Sequence, residues 1–105
     1  MTPEDRIKQL LHFVEEDPND AFSKYALALE YRKTEPQKAE ELFNKLITAN
    51  PDYLPAYYMA AVLKSELGKT DAAVDLLKQG IILATRLRET ATLRELKEAL
   101  QQLES

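Results

Sequence analysis

One pattern of small and large side chains occurs twice in this chain, after an offset of 33 or 34 residues. The earlier set, Leu27, Ala28, Ala39, Phe43, Leu46 and Pro51, corresponds to Ala60, Ala61, Ala73, Leu77, Gly80 and Thr85. A fixed period of this length is the mark of a repeat fold, in which each unit buries one face against its neighbour. The period therefore predicts a stack of similar units within one domain.

Apolar residues follow one another at steps of three and four along the whole chain, which is the spacing of one face of a helix. We predict six helices, over about 3–16, 20–34, 36–49, 54–67, 70–87 and 90–103. No segment alternates as a strand would. The fold class expected from this pattern is all-α.

Residues between these segments predict where the helices start and stop. Asn19 or Asp20 is expected to cap the second helix, and Thr70 or Asp71 the fifth, since short polar side chains accept hydrogen bonds from the first turn. Pro36 fits a first-turn position, and Gly68 fits a left-handed residue just past a helix end.

Alanines mark the places where the backbones of two helices approach closely. Ala28 and Ala61 lie mid-way along the first helix of each unit, and Ala39 and Ala73 lie early in the second. Helices joined by such short turns pack antiparallel, and larger residues at these places would separate the pair. We therefore expect an α-solenoid of antiparallel helix pairs, with an atypical helix at each end.

The composition of the chain limits the classes of partner that it could bind and the compartment in which it could act. The chain of 105 residues has no cysteine and a formal charge of −4, so disulfides and thiolate metal sites are excluded and attraction to nucleic acid is disfavoured. No stretch approaches the length of about 20 apolar residues that a membrane helix needs. These features predict a cytoplasmic protein without membrane or nucleic-acid partners.

Residues that could carry catalysis are scarce. His12 is the only histidine, and its place on the end helix favours a solvated spectator over a base or metal ligand. The two glycines form no phosphate-binding motif, and the serines lack the setting of a nucleophile. We predict no catalytic residues, no metal, no cofactor and no small-molecule substrate, and hence no enzyme.

From about Asn19 to Thr85 the chain resembles the tetratricopeptide repeat family, because small residues stand at the eighth and twentieth places of each unit and large apolar residues at the twenty-fourth. The resemblance implies a right-handed superhelix. It also implies four parts within one domain: a half-repeat helix over 1–18, repeats over 19–51 and 52–85, and a capping helix over 86–105.

The resemblance further implies a binding groove on the concave side, formed by the first helix of each repeat. Carried over place by place, the candidate groove residues are Phe22, Tyr25, Leu29, Arg32, Lys33, Tyr58, Met59, Val62 and Glu66, with Ala26, Pro55 and Ser65 at the remaining places. Tyr25, Leu29, Tyr58 and Val62 stand where relatives that grip terminal carboxylates carry polar or basic residues. A carboxylate ligand is therefore disfavoured.

Segment 56–63 is apolar all the way round, so this helix must be covered on more than one side. The covering could be an apolar or amphipathic peptide of a partner protein, because tyrosine and methionine make tolerant contact surfaces. The covering could also be a second copy of the chain, or the leucine face of the last helix, since large exposed apolar patches are rare on monomers. We expect a non-catalytic protein-interaction scaffold, with a self-associating homodimer as the alternative.

Overall fold

The computed structural model describes residues 2–105, and this part of the chain consists of six helices and their short connections, without a strand. The helices are α1 (Pro3–Glu16), α2 (Ala21–Thr34), α3 (Pro36–Ala49), α4 (Pro55–Glu66), α5 (Thr70–Leu87) and α6 (Thr90–Glu104). The all-α class and the six helices are confirmed, and the observed ends lie close to the predicted ones.

The helices form two compact units, one running to Pro51 and the other from Asp52 to Ser105. In the first unit α1 packs against α2, and α2 packs against α3. In the second unit α4 packs against α5, and α5 packs against α6. Because the connections are only a few residues long, successive helices within a unit run antiparallel.

Local signals in the sequence set most of the helix ends. Asp20 caps α2, where its carboxylate accepts a 3.1 Å hydrogen bond from the Phe22 amide and a 2.6 Å hydrogen bond from the Ser23 hydroxyl. Glu35 alone separates α2 from α3, and Pro36 opens α3 as predicted. Gly68 follows α4 with a φ of 79°, which confirms the left-handed conformation expected there.

The predicted cap of α5 is wrong. α5 begins at Thr70, whereas a Thr70 cap would start it at 71 and an Asp71 cap at 72; its N-cap is Lys69, which makes no side-chain hydrogen bond. The turn after α4 explains the difference. The Lys69 amide donates to the Lys64 carbonyl and the Gly68 amide to the Ser65 carbonyl, at 2.8 and 3.0 Å. This pair of backbone hydrogen bonds closes α4 and brings the chain directly into α5.

Alanine contacts and large apolar side chains form the core of each unit. In the first unit Ala28 and Ala39 are fully buried. In the second unit Ala73 is fully buried and Ala61 is 2% exposed. The large side chains with less than 2% exposure are Phe43, Leu46, Leu63, Leu77 and Leu96. The small residues of the repeat pattern are thus buried in the core of each unit.

Glu30 places a charge inside the first unit, since its side chain is only 8% exposed. Its carboxylate accepts from the Arg6 guanidinium at 3.0 Å and from the Lys33 ammonium at 3.3 Å. A buried carboxylate needs such partners, because losing water is costly for a charged group. The Arg6 contact also ties α1 to α2.

Among the helices of residues 2–105, none is both long enough and apolar enough to cross a bilayer.

Candidate functional site

α4 is the helix whose sequence is apolar on every side, and the second unit covers it only in part. Tyr57 and Leu63 are buried, whereas Tyr58, Met59 and Val62 remain half-buried. Tyr58 and Val62 are one helical turn apart and therefore lie on the same face. This face forms one wall of an open cleft.

The opposite wall of that cleft comes from α6. Ala99 and Leu103 lie one turn apart on α6, and Leu77 of α5 lies between the two helices. The space between these walls has a volume of about 200 Å³. We call it the α4–α6 cleft; its lining is completed by Ala61, Ser65, Glu66 and Gln102.

Apart from the Tyr58 hydroxyl, the polar groups of the α4–α6 cleft belong to the last turns of its two walls. Ser65 and Glu66 belong to the last turn of α4, and Gln102 belongs to the last turn of α6. Since both helices run antiparallel to α5, their carboxyl ends point the same way. Helix carboxyl ends carry partial negative charge. Glu66, the one charged residue among those that line the cleft, adds to it.

Three of the four candidate residues predicted on α4, namely Tyr58, Val62 and Glu66, therefore line this cleft together. Met59 is half-buried on the same helix and is not part of the lining. Ser65, from the wider set of groove places, lines it as well.

The other candidate residues belong to the first unit and lie on α2. Phe22 is 66% exposed, Tyr25 and Leu29 are half-buried, and Arg32 is half-buried near the carboxyl end. Lys33 is exposed and ion-paired with Glu30. α2 thus presents an aromatic start and a basic end.

Two tyrosines have shifted ionisation. Burial raises the pKa of Tyr25, whose ring meets the edge of Phe43 with centroids 6.2 Å apart. Burial also raises the pKa of Tyr57, and the Asp52 carboxylate adds to that rise while Arg86 opposes it. Asp52 and Arg86 form an exposed ion pair of 2.6 Å. Both phenols therefore ionise at higher pH than an exposed tyrosine does.

Sequence reasoning missed the α6 wall of the cleft as a set of functional residues. The leucine face of the last helix was recognised as a possible cover, but Ala99 and Gln102 gave no signal. Their role depends on how α6 packs against α5, with Leu96 buried beside Gly80. A sequence pattern does not give the rotation of α6 about its own axis, which decides the residues that face the cleft.

Within residues 2–105 no three histidine, cysteine, aspartate or glutamate side chains come together in a group that could hold a metal ion. His12 is exposed, and its Nε2 lies 3.0 Å from the Glu16 carboxylate one turn along α1. The candidate site is thus defined by the lining of the α4–α6 cleft, which is apolar along most of its length and has polar residues and one carboxylate in the last turns of its walls.

Antiparallel helix pairs with alanine contacts, repeated along the sequence, define a helical-repeat protein. The family model described as the tetratricopeptide repeat matches residues 31–85. A tetratricopeptide repeat domain protein from Salinibacter ruber, solved by NMR, is 38% identical. The match covers 84% of this chain and 90% of that one, with a TM-score of 0.79. The chain belongs to the tetratricopeptide repeat family.

Two more distant structures share the fold. The TPR2B domain of yeast Sti1, solved as a complex with pHsp70, is 18% identical with a TM-score of 0.86, over 93% of this chain and 79% of that one. PcrH, solved with the chaperone binding region of PopD, is 16% identical with a TM-score of 0.87, and the match covers 97% of this chain and 78% of that one. A comparison with curated proteins gives no match.

Proposed function

We propose that this chain is a non-catalytic protein-interaction module that binds an apolar or amphipathic peptide or helix of a partner protein. The observation that carries the proposal is the α4–α6 cleft, an open apolar space beside the helix that its own unit covers only in part. Concave apolar sites with a few polar groups are where ligands bind.

Burial of a partner side chain in the α4–α6 cleft, against Tyr58 and Val62, would supply most of the binding free energy. Pockets that surround a single anchor side chain are the usual hot spots of protein interfaces, and tyrosine is enriched in them. The polar end at Ser65 and Glu66 would then fix the orientation of the peptide rather than its affinity.

Two structures with the same fold support a protein segment as the class of partner. The Sti1 domain was solved with pHsp70 and PcrH with a region of PopD, so this fold takes protein segments in both. At 18% and 16% identity they share the fold with this chain, and their partners are not carried over to it.

On α2 we propose Phe22, Tyr25 and Leu29 as further apolar contacts, and Arg32 and Lys33 as charged contacts. The exposed Phe22 ring supports this, because a large aromatic side chain in water gains free energy when a partner covers it. Met59 is proposed as an adaptable neighbour of the cleft. Residence in the cytoplasm stays a prediction from the composition.

The experiment compares two substitutions that add a carboxylate to an apolar position of the second unit. Tyr58→Glu alters the cleft, whereas Ile82→Glu alters an isoleucine that is 71% exposed on α5 and does not line it. The wild type and both variants, checked by circular dichroism, are used to capture proteins from the source cells. Light scattering at several concentrations gives their molecular masses.

A partner retained by the wild type and Ile82→Glu but lost by Tyr58→Glu is the expected result. A dimer that Tyr58→Glu separates would instead establish the alternative, a self-associating protein. Capture that is equal for all three chains would contradict the cleft as the binding site. Unfolding of Tyr58→Glu would mean that Tyr58 belongs to the core.

A further inference from the structure

We infer that the α4–α6 cleft selects its partner by a single phenylalanine side chain, and that Ala99 sets the size of the side chain that the cleft admits. This inference rests on the proposed function and narrows its class of partner to segments that present one aromatic residue without a polar tip. Three features of the second unit lead to it: the volume of the cleft, the polarity of its floor, and the residues of its two walls.

The volume of the α4–α6 cleft suits one phenyl ring. The cleft measures about 200 Å³. An engineered apolar cavity of about 150 Å³ binds one benzene molecule, whereas sites for drug-sized molecules occupy about 300–1,000 Å³. One phenylalanine side chain of a peptide therefore fits, and a second large side chain has to stay outside.

The exposure of the lining residues shows which of them form the floor of the cleft. Ala61 and Leu77 line the cleft and yet are only 2% and 1% exposed, so they lie deepest. Glu66 and Gln102 are exposed and lie at the rim. The half-buried residues form the sides, namely Tyr58, Val62, Ser65, Ala99 and Leu103.

The floor offers no hydrogen bond to a side chain that enters the cleft. Ala61 and Leu77 have hydrocarbon side chains, and both residues lie inside helices, where backbone groups bond to one another. Among residues 2–105, no buried side-chain nitrogen or oxygen lacks a partner. A tyrosine hydroxyl carried to this floor would lose its water without replacement, which is costly. Phenylalanine has no such group.

The two walls favour an aromatic side chain for different reasons. On α4, the Tyr58 ring can pack against a phenyl ring, and such aromatic pairs gain more free energy than their buried area alone supplies. On α6, Ala99 has only a methyl group and leaves room for that ring. A longer side chain at position 99 would occupy the same space, so Ala99 is the residue that determines the size of the occupant.

Four labelled peptides test the inference. They share one amphipathic sequence and differ at the central position, which carries phenylalanine, tyrosine, leucine or alanine. Fluorescence anisotropy gives the affinity of each peptide for the full chain. Ala99→Leu narrows the cleft, and Ala91→Leu, at an exposed position of the same helix, is its control. Tyr58→Leu removes the aromatic wall, and Met59→Leu, half-buried on α4 outside the lining, is its control.

The phenylalanine peptide should bind most tightly. The tyrosine peptide should bind about 5- to 100-fold more weakly, because its hydroxyl is left unpaired. The leucine peptide should bind about two- to tenfold more weakly, because it lacks the aromatic contact. The alanine peptide should lose at least about tenfold.

The variants should change these affinities selectively. Ala99→Leu should weaken the phenylalanine peptide about tenfold and leave the alanine peptide nearly unchanged, since only the larger side chain meets the added leucine. Tyr58→Leu should bring the phenylalanine and leucine peptides to similar affinities. Ala91→Leu and Met59→Leu should behave as the wild type does.

Failure of the inference and failure of the proposed function give different results. Equal affinities of the wild type for the phenylalanine and tyrosine peptides, both reduced by Ala99→Leu, would overturn selection by an apolar floor and leave the cleft as the docking site. Absence of binding by every peptide, or binding of the phenylalanine peptide that Ala99→Leu does not change, would contradict the proposed function itself.

Discussion

A Cβ atom at Gly80 would lie 3.2 Å from Cδ1 of Leu96, so the missing side chain at position 80 is what allows α6 to pack against α5. The same Cβ would lie 3.1 Å from the Cβ of Tyr57 on α4. Leu96 is fully buried at this contact. Gly80 is therefore the point where the three helices of the second unit meet.

Gly80→Ala should destabilise the chain by about 1 kcal/mol, because the strain of overpacking, typically about 1–3 kcal/mol, exceeds the helix propensity that alanine gains. Tyr57 cannot relieve the contact by a rotamer change, since its Cβ is fixed to the backbone. Urea unfolding measures the effect, and Gln79→Ala on the same helix is the control. A Gly80→Ala midpoint at or above that of the wild type would refute the close contact.

Arg88→Gly should stabilise the chain. Arg88 ends α5 in the left-handed region, with a φ of 59°, which costs an L-residue about 1–2 kcal/mol and glycine almost nothing. Glycine also gives the unfolded chain more conformational entropy, which offsets part of this gain. We therefore expect the free energy of unfolding, measured with urea, to rise by about 0.5–1 kcal/mol. Arg94→Gly, inside α6, should instead lose about 1 kcal/mol. Similar losses in the two variants would contradict the backbone conformation at Arg88.

Asp20→Ala should destabilise the first unit by about 1 kcal/mol, the usual effect of removing an N-cap. The Phe22 amide and the Ser23 hydroxyl both lose their acceptor, and Ser23 is buried. Asn19→Ala changes the neighbouring polar residue, which does not cap α2. Thermal unfolding of the two variants should show a lower midpoint for Asp20→Ala alone, and equal midpoints would contradict the cap.

High pH should weaken the fold through Tyr57 and Tyr25. Burial raises the pKa of both phenols, so the folded chain holds these protons more tightly than the unfolded chain does. The resulting stabilisation is complete below the unfolded pKa of about 10 and is lost as the pH rises through the higher folded pKa.

The urea midpoint of the wild type should therefore fall above about pH 10, and it should fall less in the double variant Tyr25→Phe, Tyr57→Phe. Tyrosinate absorbance reports the ionisation in the same samples. Identical pH profiles for the two proteins would mean that neither phenol is linked to folding.

The helices could be predicted because their ends depend on nearby residues. Pro36, Gly68 and Asp20 act within one turn of where they stand, and the apolar spacing of each helix is visible in the sequence. The alanine contacts were visible for a similar reason, since the second unit repeats those of the first.

Details that depend on α6 could not be predicted. The repeat pattern equates Gly80 with Leu46, yet the side chain of Leu46 is part of the core, whereas at Gly80 the space is taken by Leu96 and Tyr57. The left-handed Arg88 turns the chain into α6 and has no sequence signal comparable to a glycine. The presence of Leu103 in the lining of the cleft depends on both.

The most direct test of the account is an NMR titration of the isotope-labelled chain with a synthetic amphipathic peptide that carries one central phenylalanine. If the α4–α6 cleft is the binding site, the largest amide shifts should occur at Tyr58, Val62 and Leu103, and they should disappear in Tyr58→Glu while persisting in Ile82→Glu. Shifts that leave α4 and the last turns of α6 unchanged would contradict the account.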